Sequence, residues 1–437
     1  MEPTTWRGAS SRASAERGGA ALVEKHLGVS TSWNVIVAGG GILGLATAMR
    51  LLERSPGLRV LVLERETDVA TQQTAHNSGV VHAGVYYAPG SLKARLCVRG
   101  REMLLDFCAR HGIASQTTGK LIVALRGDEM PRLLELARRA EANGVSGARL
   151  VDPAEMREIE PHVAGVKALF CPTTAIVDYR AVALACARIV TEAGGVIRTG
   201  CEVRGVDSRP SGLVVKTSRG DDETRGLIAC AGLYSDRLAA ATGAPRDLAI
   251  VPFRGDYYEL AAHCRHLCRG LIYPVPDPRF PFLGVHFTRC IDGRVIAGPN
   301  AVLAFARQGY GRFDVNLRDL GQVLAWPGFR RLAAKHLGTG MAEMWRDYMK
   351  LAYVKALQAY LPAVSSADLV PGPSGVRAQA LGRDGALIDD FSFYVAPGML
   401  HVRNAPSPAA TSSLAIADAI VERAAEAIDL GLVSPER

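Results

Sequence analysis

The chain has 437 residues, enough for two domains or one large composite domain with a substantial buried core. With 48% hydrophobic residues and 45 glycines it is not disordered as a whole, and a globular fold rich in tight backbone turns is expected. The net charge of +8 is spread along the chain, which argues against nucleic acid and for an anionic substrate, an anionic cofactor or an acidic lipid surface.

Residues 1–32 form an extension with Arg7, Arg12 and Arg17 but also Glu2, Glu16 and Glu24, and without an apolar core segment. That pattern excludes a secretory signal and leaves a mitochondrial transit peptide open. No apolar run approaches the ~18–20 residues that span a bilayer. Nine cysteines without paired spacing fit free thiols in a reducing compartment. The run from His263 to Cys268 imitates half of a zinc site, but no second half exists, so no metal is expected.

The first ordered element reads as a strand, Asn34 to Ala38. A turn, Gly39-Gly40-Gly41-Ile42-Leu43-Gly44, leads into a helix through Leu52, and a second strand from Arg59 ends at Glu64. This is the complete dinucleotide-binding unit. Gly39 allows the tight turn, Gly41 lets the backbone approach a pyrophosphate, and Gly44 lets helix and strand pack closely. The helix N-terminus offers free N–H groups to the phosphates. Glu64, 20 residues past Gly44, can hold ribose hydroxyls, and an acid there favours FAD or NAD over NADP.

Further along, residues 128–143 and 180–194 carry apolar residues at helical spacing. Short strands are predicted at 196–198, 202–206, 213–217 and 225–229, the last running through Gly232 into a helix. From 250 to 300 the pattern is strand-like, and 316–361 reads as helical. The latter has basic patches at 329–332 and 334–337, which fit solvated helix faces better than a membrane contact. A turn at Arg383-Asp384-Gly385 and a last helix from about Ala409 to 427 close the chain. The expected class is α/β. A Rossmann-type nucleotide-binding domain is assembled from 33–119, 165–245 and 370–427, with an inserted, mostly antiparallel β substrate domain at 120–164 and 246–369 that includes a helical insert.

Several stretches carry a resemblance: "GGGILGLATA", "QTAHNSGVVHAGVYYAPGSLKARLC", "TGKLIVA", "CAGLYSDR", "VPFRGDYY", "GVRAQAL" and "HVRNAPSPAATSS". Through them, residues 34 to about 425 resemble the FAD-dependent D-amino-acid-oxidase superfamily, and within it the L-2-hydroxyglutarate dehydrogenase family. The resemblance implies FAD as cofactor, oxidation of the dicarboxylate (S)-2-hydroxyglutarate to 2-oxoglutarate, and delivery of the electrons to a respiratory acceptor such as quinone. It also implies a place peripheral to the mitochondrial inner membrane or, in a bacterium, at the cytoplasmic membrane face. Open alternatives are an amine or amino-acid oxidase that uses O2, and a flavin-binding protein without turnover.

The resemblance also assigns roles. Gly39, Gly41, Gly44, Glu64, His76, Asn77, Ser78, Gly79, Val203, Gly232 and Asn404 are expected at the FAD, with a covalent link through His76 left open. Two substrate carboxylates call for arginine, whose planar fork bonds them bidentately. Arg377 is expected at the α-carboxylate, Arg403 is a second candidate beside the flavin, and Arg254 and Arg279 are candidates for the distal carboxylate. Removing the hydroxyl proton needs a base, and His82 is the first candidate and His286 the second. Tyr86 stands where the respiratory glycerol-3-phosphate dehydrogenases keep an arginine, and is expected to face the substrate.

Overall fold

β1 (Trp33–Ala38) is apolar at nearly every position, and Val35, Ile36 and Val37 are fully buried. A strand of this kind belongs inside a parallel sheet covered on both faces. In the computed structural model, which describes residues 32–277, 284–335 and 350–430, β1 runs parallel to β2 (Val60–Leu63) on one side. The second half of the strand Gly220–Ala229 runs parallel to it on the other. Val196–Arg198 extends the sheet beyond β2, and Met399–Asn404 extends it beyond Ala229, again in parallel. The chain leaves β1 toward β2 and later returns on the opposite side, so a crevice opens at the carboxyl ends of these strands. Helix α1 (Ile42–Arg54) joins β1 to β2 and packs with the helices Tyr179–Glu192 and Ser413–Ala424 in one apolar cluster.

A second, mostly antiparallel sheet is organised by two long strands, Leu248–Leu260 and Leu369–Gly382. They pair from Leu248–Gly382 to Leu260–Leu369, with a register shift between Asp256 and Tyr258. The strand His286–Arg289 lies inside this sheet, and Leu271–Pro274, Lys120–Ala124 and Lys167–Cys171 follow on one side of it. A small third sheet ties Val80–Val81 to Ala175–Val177, which also pairs with Ser115–Thr117.

Sheet membership crosses the expected segment boundaries in two places. Lys167–Cys171 and Leu369–Gly382 fall in stretches expected to belong to the nucleotide-binding part, yet both pair within the second sheet. The last helix begins at Ser413 rather than near Ala409, because the bonds Ala409 N to Pro406 O and Ser412 N to Pro408 O hold the preceding residues in turns. In the region expected to be helical, Leu317–Ala325, 327–335 and Lys350–Gln358 are helices. Arg330 of the basic patch caps the preceding helix through Leu324 O and Ala325 O. His336 and Leu337 of the second patch, Arg279, and residues 1–31 lie outside the described residues. No helix among the described residues is long and apolar enough to cross a membrane. Asp368 Oδ1 meets Cys264 Sγ at 2.9 Å and His263 Nε2 at 3.2 Å, so the apparent zinc half-site is tied to a carboxylate about a hundred residues away that sequence spacing does not reveal.

Candidate active site

At the carboxyl ends of β1 and its neighbours lies a cavity of about 720 Å³ lined by Gly39, Gly41, Glu64, Val203 and Gly232 among others. These five expected cofactor residues come from four separate stretches of chain. The turn needs its glycines. Gly39 has φ +117, and a Cβ there would stand 2.3 Å from Cys230 O, while a Cβ at Gly44 would stand 1.9 Å from Gly39 O. Glu64 is buried; its Oε2 accepts from Gly40 N at 2.6 Å and its Oε1 from Glu66 N at 2.8 Å. Burial pushes its pKa up, and the two backbone N–H groups oppose that rise by favouring the ionised form. Thr74 Oγ1 takes the Ile42 N–H at the start of α1. Gln73, also on the cavity wall, donates to Val376 O, one residue from Arg377.

A second group of side chains comes from four distant parts of the sequence: the charges of Lys120 and Arg377 act on both His82 and His286. His286 is buried, its ring lies 3.9 Å from that of Tyr273, and its Nδ1 is 3.0 Å from Gly284 O. A carbonyl can only accept, so that contact assigns the proton to Nδ1 and leaves Nε2 as the acceptor. His82 is half-buried; its backbone N–H donates to Thr411 Oγ1 and its Nδ1 has no partner. Desolvation, followed by the charge of Lys120, lowers the pKa of His82 to about 3. Desolvation also lowers that of His286 to about 3, with Arg377 and Lys120 adding to it. Both rings are therefore neutral at pH 7, the form that accepts a proton.

Other expected residues have different occupations. Arg254 is buried and holds both Asp256 oxygens, at 3.0 and 3.1 Å, and Gly311 O. Arg403 is paired with Asp247 and donates to Pro245 O. These two guanidiniums already have carboxylate partners within the chain. His76 stacks on Tyr310 at 3.9 Å and meets Ser374 O. The Asn77 side chain closes a local turn: its Nδ2 donates to Gln73 O and Thr74 O, and its Oδ1 accepts from Gly79 N. Gly79, with φ +71, is pressed against Val177 O, and Ser78 is half-buried beside it. Asn404 anchors Ile388 O and Asp390 O through Nδ2, while its Oδ1 is buried without a partner. Tyr86 Oη is likewise bare. Sequence reasoning gave no role to Lys120, Tyr273, Thr74 and Gln73, although Gln73, Thr74 and Lys120 lie in stretches that carry the family resemblance.

The glycine turn, the buried carboxylate and the cavity beside them fit a dinucleotide, and Asn404 Oδ1, Ser412 Oγ and Ser413 Oγ are buried without a partner. Fold and site together define a dinucleotide-dependent oxidoreductase. Residues 34–423 match the DAO family, described as FAD dependent oxidoreductase. The chain belongs to this family, on the branch of the L-2-hydroxyglutarate dehydrogenases. It is 49% identical over 427 residues to the mitochondrial L-2-hydroxyglutarate dehydrogenase of Nematostella vectensis, covering 93% of this chain and 94% of that one. With the L-2-hydroxyglutarate dehydrogenase of Indibacter alkaliphilus it shares 46% over 391 residues, 89% and 98% of the two chains. Among solved structures, the FAD-bound L-alpha-glycerophosphate oxidase of Mycoplasma pneumoniae superposes with a TM-score of 0.74 at 21% identity, covering 93% and 97%, a likeness of fold. The cofactor is FAD, and Gly39, Gly41, Glu64, Val203 and Gly232 line the cavity beside the glycine turn.

Proposed function

We propose that the chain oxidises (S)-2-hydroxyglutarate to 2-oxoglutarate and passes the electrons to a quinone-type respiratory acceptor. The observation that carries this reading is the 49% identity, over nearly all of both chains, to an enzyme named for that substrate. The site chemistry agrees with it. Oxidation at C2 removes a hydride from carbon and a proton from the hydroxyl. Bound FAD supplies the two-electron acceptor for the hydride. Arg377, whose charge acts on both histidines, is the side chain that holds the carboxylate next to C2. His82 and His286 stand ready as neutral bases. An arriving dianion raises the pKa of a nearby imidazole, so substrate binding strengthens the base that must take the hydroxyl proton.

The test is anaerobic bleaching of the bound flavin by each enantiomer of 2-hydroxyglutarate and by glycine and sarcosine. Rapid reduction by the S enantiomer is expected. Reduction by an amine but not by that hydroxy acid refutes the proposal. His82→Ala and His286→Ala, compared in the same assay, identify the base by a loss of about 10²- to 10⁴-fold in the rate of reduction.

Membrane contact forms part of this reading. Phe313 is 86% exposed and Leu317 80%, with Val315 between them, an apolar edge carrying Asp314 and Arg318 that is suited to a bilayer surface. The name of the Nematostella relative, which is called mitochondrial, supports a mitochondrial location.

A further inference from the structure

Lys120 is 1% exposed, one of the most deeply buried side chains among the described residues. Its position is closely determined. Gly119, at φ +72, turns the chain into the strand Lys120–Ala124, and a Cβ at Gly119 would meet the Phe170 ring at 2.7 Å. Lys120 then pairs in register with Cys171. Its Nζ lies 4.6 Å from the ring centre of Tyr86 and 5.1 Å from that of Tyr273. Two aromatic faces attract an ammonium but do not neutralise it. Among the described residues no carboxylate pairs with Lys120, and the only groups whose charge would offset its own are the thiols of Cys171 and Cys97. A buried ammonium without a counter-ion is costly, and the cost falls when an anion meets it.

Its surroundings place it in the active site. Tyr273, one of its two aromatic contacts, stacks on His286, and Tyr86, the other, carries a buried hydroxyl without a partner. In the order of the second sheet, Lys120 and Arg377 lie on either side of the strand His286–Arg289, so two cations flank the histidines from different directions. Arg254 and Arg403, the described arginines first considered for the distal carboxylate or as a second anchor, already hold Asp256 and Asp247.

We propose that Lys120 holds the substrate carboxylate remote from the one bound by Arg377, with the Tyr86 hydroxyl as a second donor. Lys120 thereby selects a 2-hydroxy dicarboxylate over the corresponding monocarboxylate. This rests on the reading of the substrate as 2-hydroxyglutarate.

The test uses FAD-loaded wild type, Lys120→Met and Lys120→Arg, first checked for equal flavin content. Glutarate and pentanoate, which differ only in the second carboxylate, are titrated against the absorbance of the bound flavin. Anaerobic reduction is compared for (S)-2-hydroxyglutarate and (S)-2-hydroxypentanoate. In wild type both measurements favour the dicarboxylate. In Lys120→Met the ratio of dicarboxylate to monocarboxylate falls by about 10²-fold or more, the consequence of removing one partner from a buried charge pair, and Lys120→Arg recovers part of it. A ratio that survives in Lys120→Met overturns the proposal. A wild type reduced by neither hydroxy acid overturns the proposed function instead, and the comparison of glutarate with pentanoate still judges Lys120.

Discussion

Gly41 and Gly44 stand three residues apart in one turn, and the structure assigns them separable roles. At Gly41 the backbone is extended, φ −79 and ψ 177, a conformation open to any residue, and an added Cβ meets only Thr74 Oγ1, at 3.4 Å. Gly41 lines the cavity, so the extra methyl takes up space meant for the cofactor. At Gly44 the Cβ would lie 1.9 Å from Gly39 O and 3.0 Å from Gly39 C, against backbone that cannot swing aside. Gly41→Ala is expected to leave the stability of the FAD-free protein within about 0.5 kcal/mol of wild type. Its FAD affinity falls by about 1–3 kcal/mol, the usual cost of overpacking, which is about 5- to 150-fold. Gly44→Ala carries a similar overpacking cost in the fold itself, offset by at most about 1 kcal/mol from the better helix propensity of alanine. Urea unfolding of the FAD-free proteins and fluorescence titration with FAD separate the two effects. Equal destabilisation of the FAD-free protein by both substitutions, or wild-type FAD affinity in Gly41→Ala, would refute the reasoning.

Two further outcomes are expected. Burial lowers the pKa of His286 to about 3 and, helped by the charge of Arg403, that of His401 to about 4, both below the 6.5 of an unfolded chain. Below pH 6.5 the unfolded chain therefore binds more protons than the folded one, so stability is fully present above 6.5 and is lost as the pH falls toward 4. The loss between pH 7 and 5 is about 2 kcal/mol per histidine, read by urea unfolding, and His401→Gln should flatten the slope; an unchanged slope would count against this origin. For the membrane edge, wild type should sediment with anionic vesicles and Phe313→Ser/Leu317→Ser should not. A wild type that stays in the supernatant removes that contact.

The nucleotide half of the site was legible because its chemistry is local. A strand, three glycines, a helix and an acid at a set distance are one folding unit, and the structure places Gly39, Gly41 and Glu64 around one cavity. The helix end near Ser413 was misplaced because the sequence marks the helix by its apolar period and does not show that the prolines and serines before it turn on themselves. The partner of Leu369–Gly382 was not legible for a different reason. Its pairing with Leu248–Leu260 is a contact across more than a hundred residues, with no local trace.

The charged residues show most clearly what local pattern cannot supply. Arg254, Arg403 and Lys120 are all buried cations, and residue type alone favours the arginines as carboxylate ligands. Topology reverses that ranking by deciding which cation receives an internal counter-ion. Asp256 sits two residues from Arg254 on the same strand, and Asp247 reaches Arg403 from across the chain. Lys120 opens a strand whose following residues, Leu121 to Ala124, are all apolar and fully buried, so it reads as the polar end of a core strand. Only the assembled fold surrounds it with two tyrosines and the histidines while bringing no acid among the described residues to it. Its missing counter-ion is best supplied by an anionic ligand, which makes the least conspicuous of the three cations the one suited to recognise a second carboxylate.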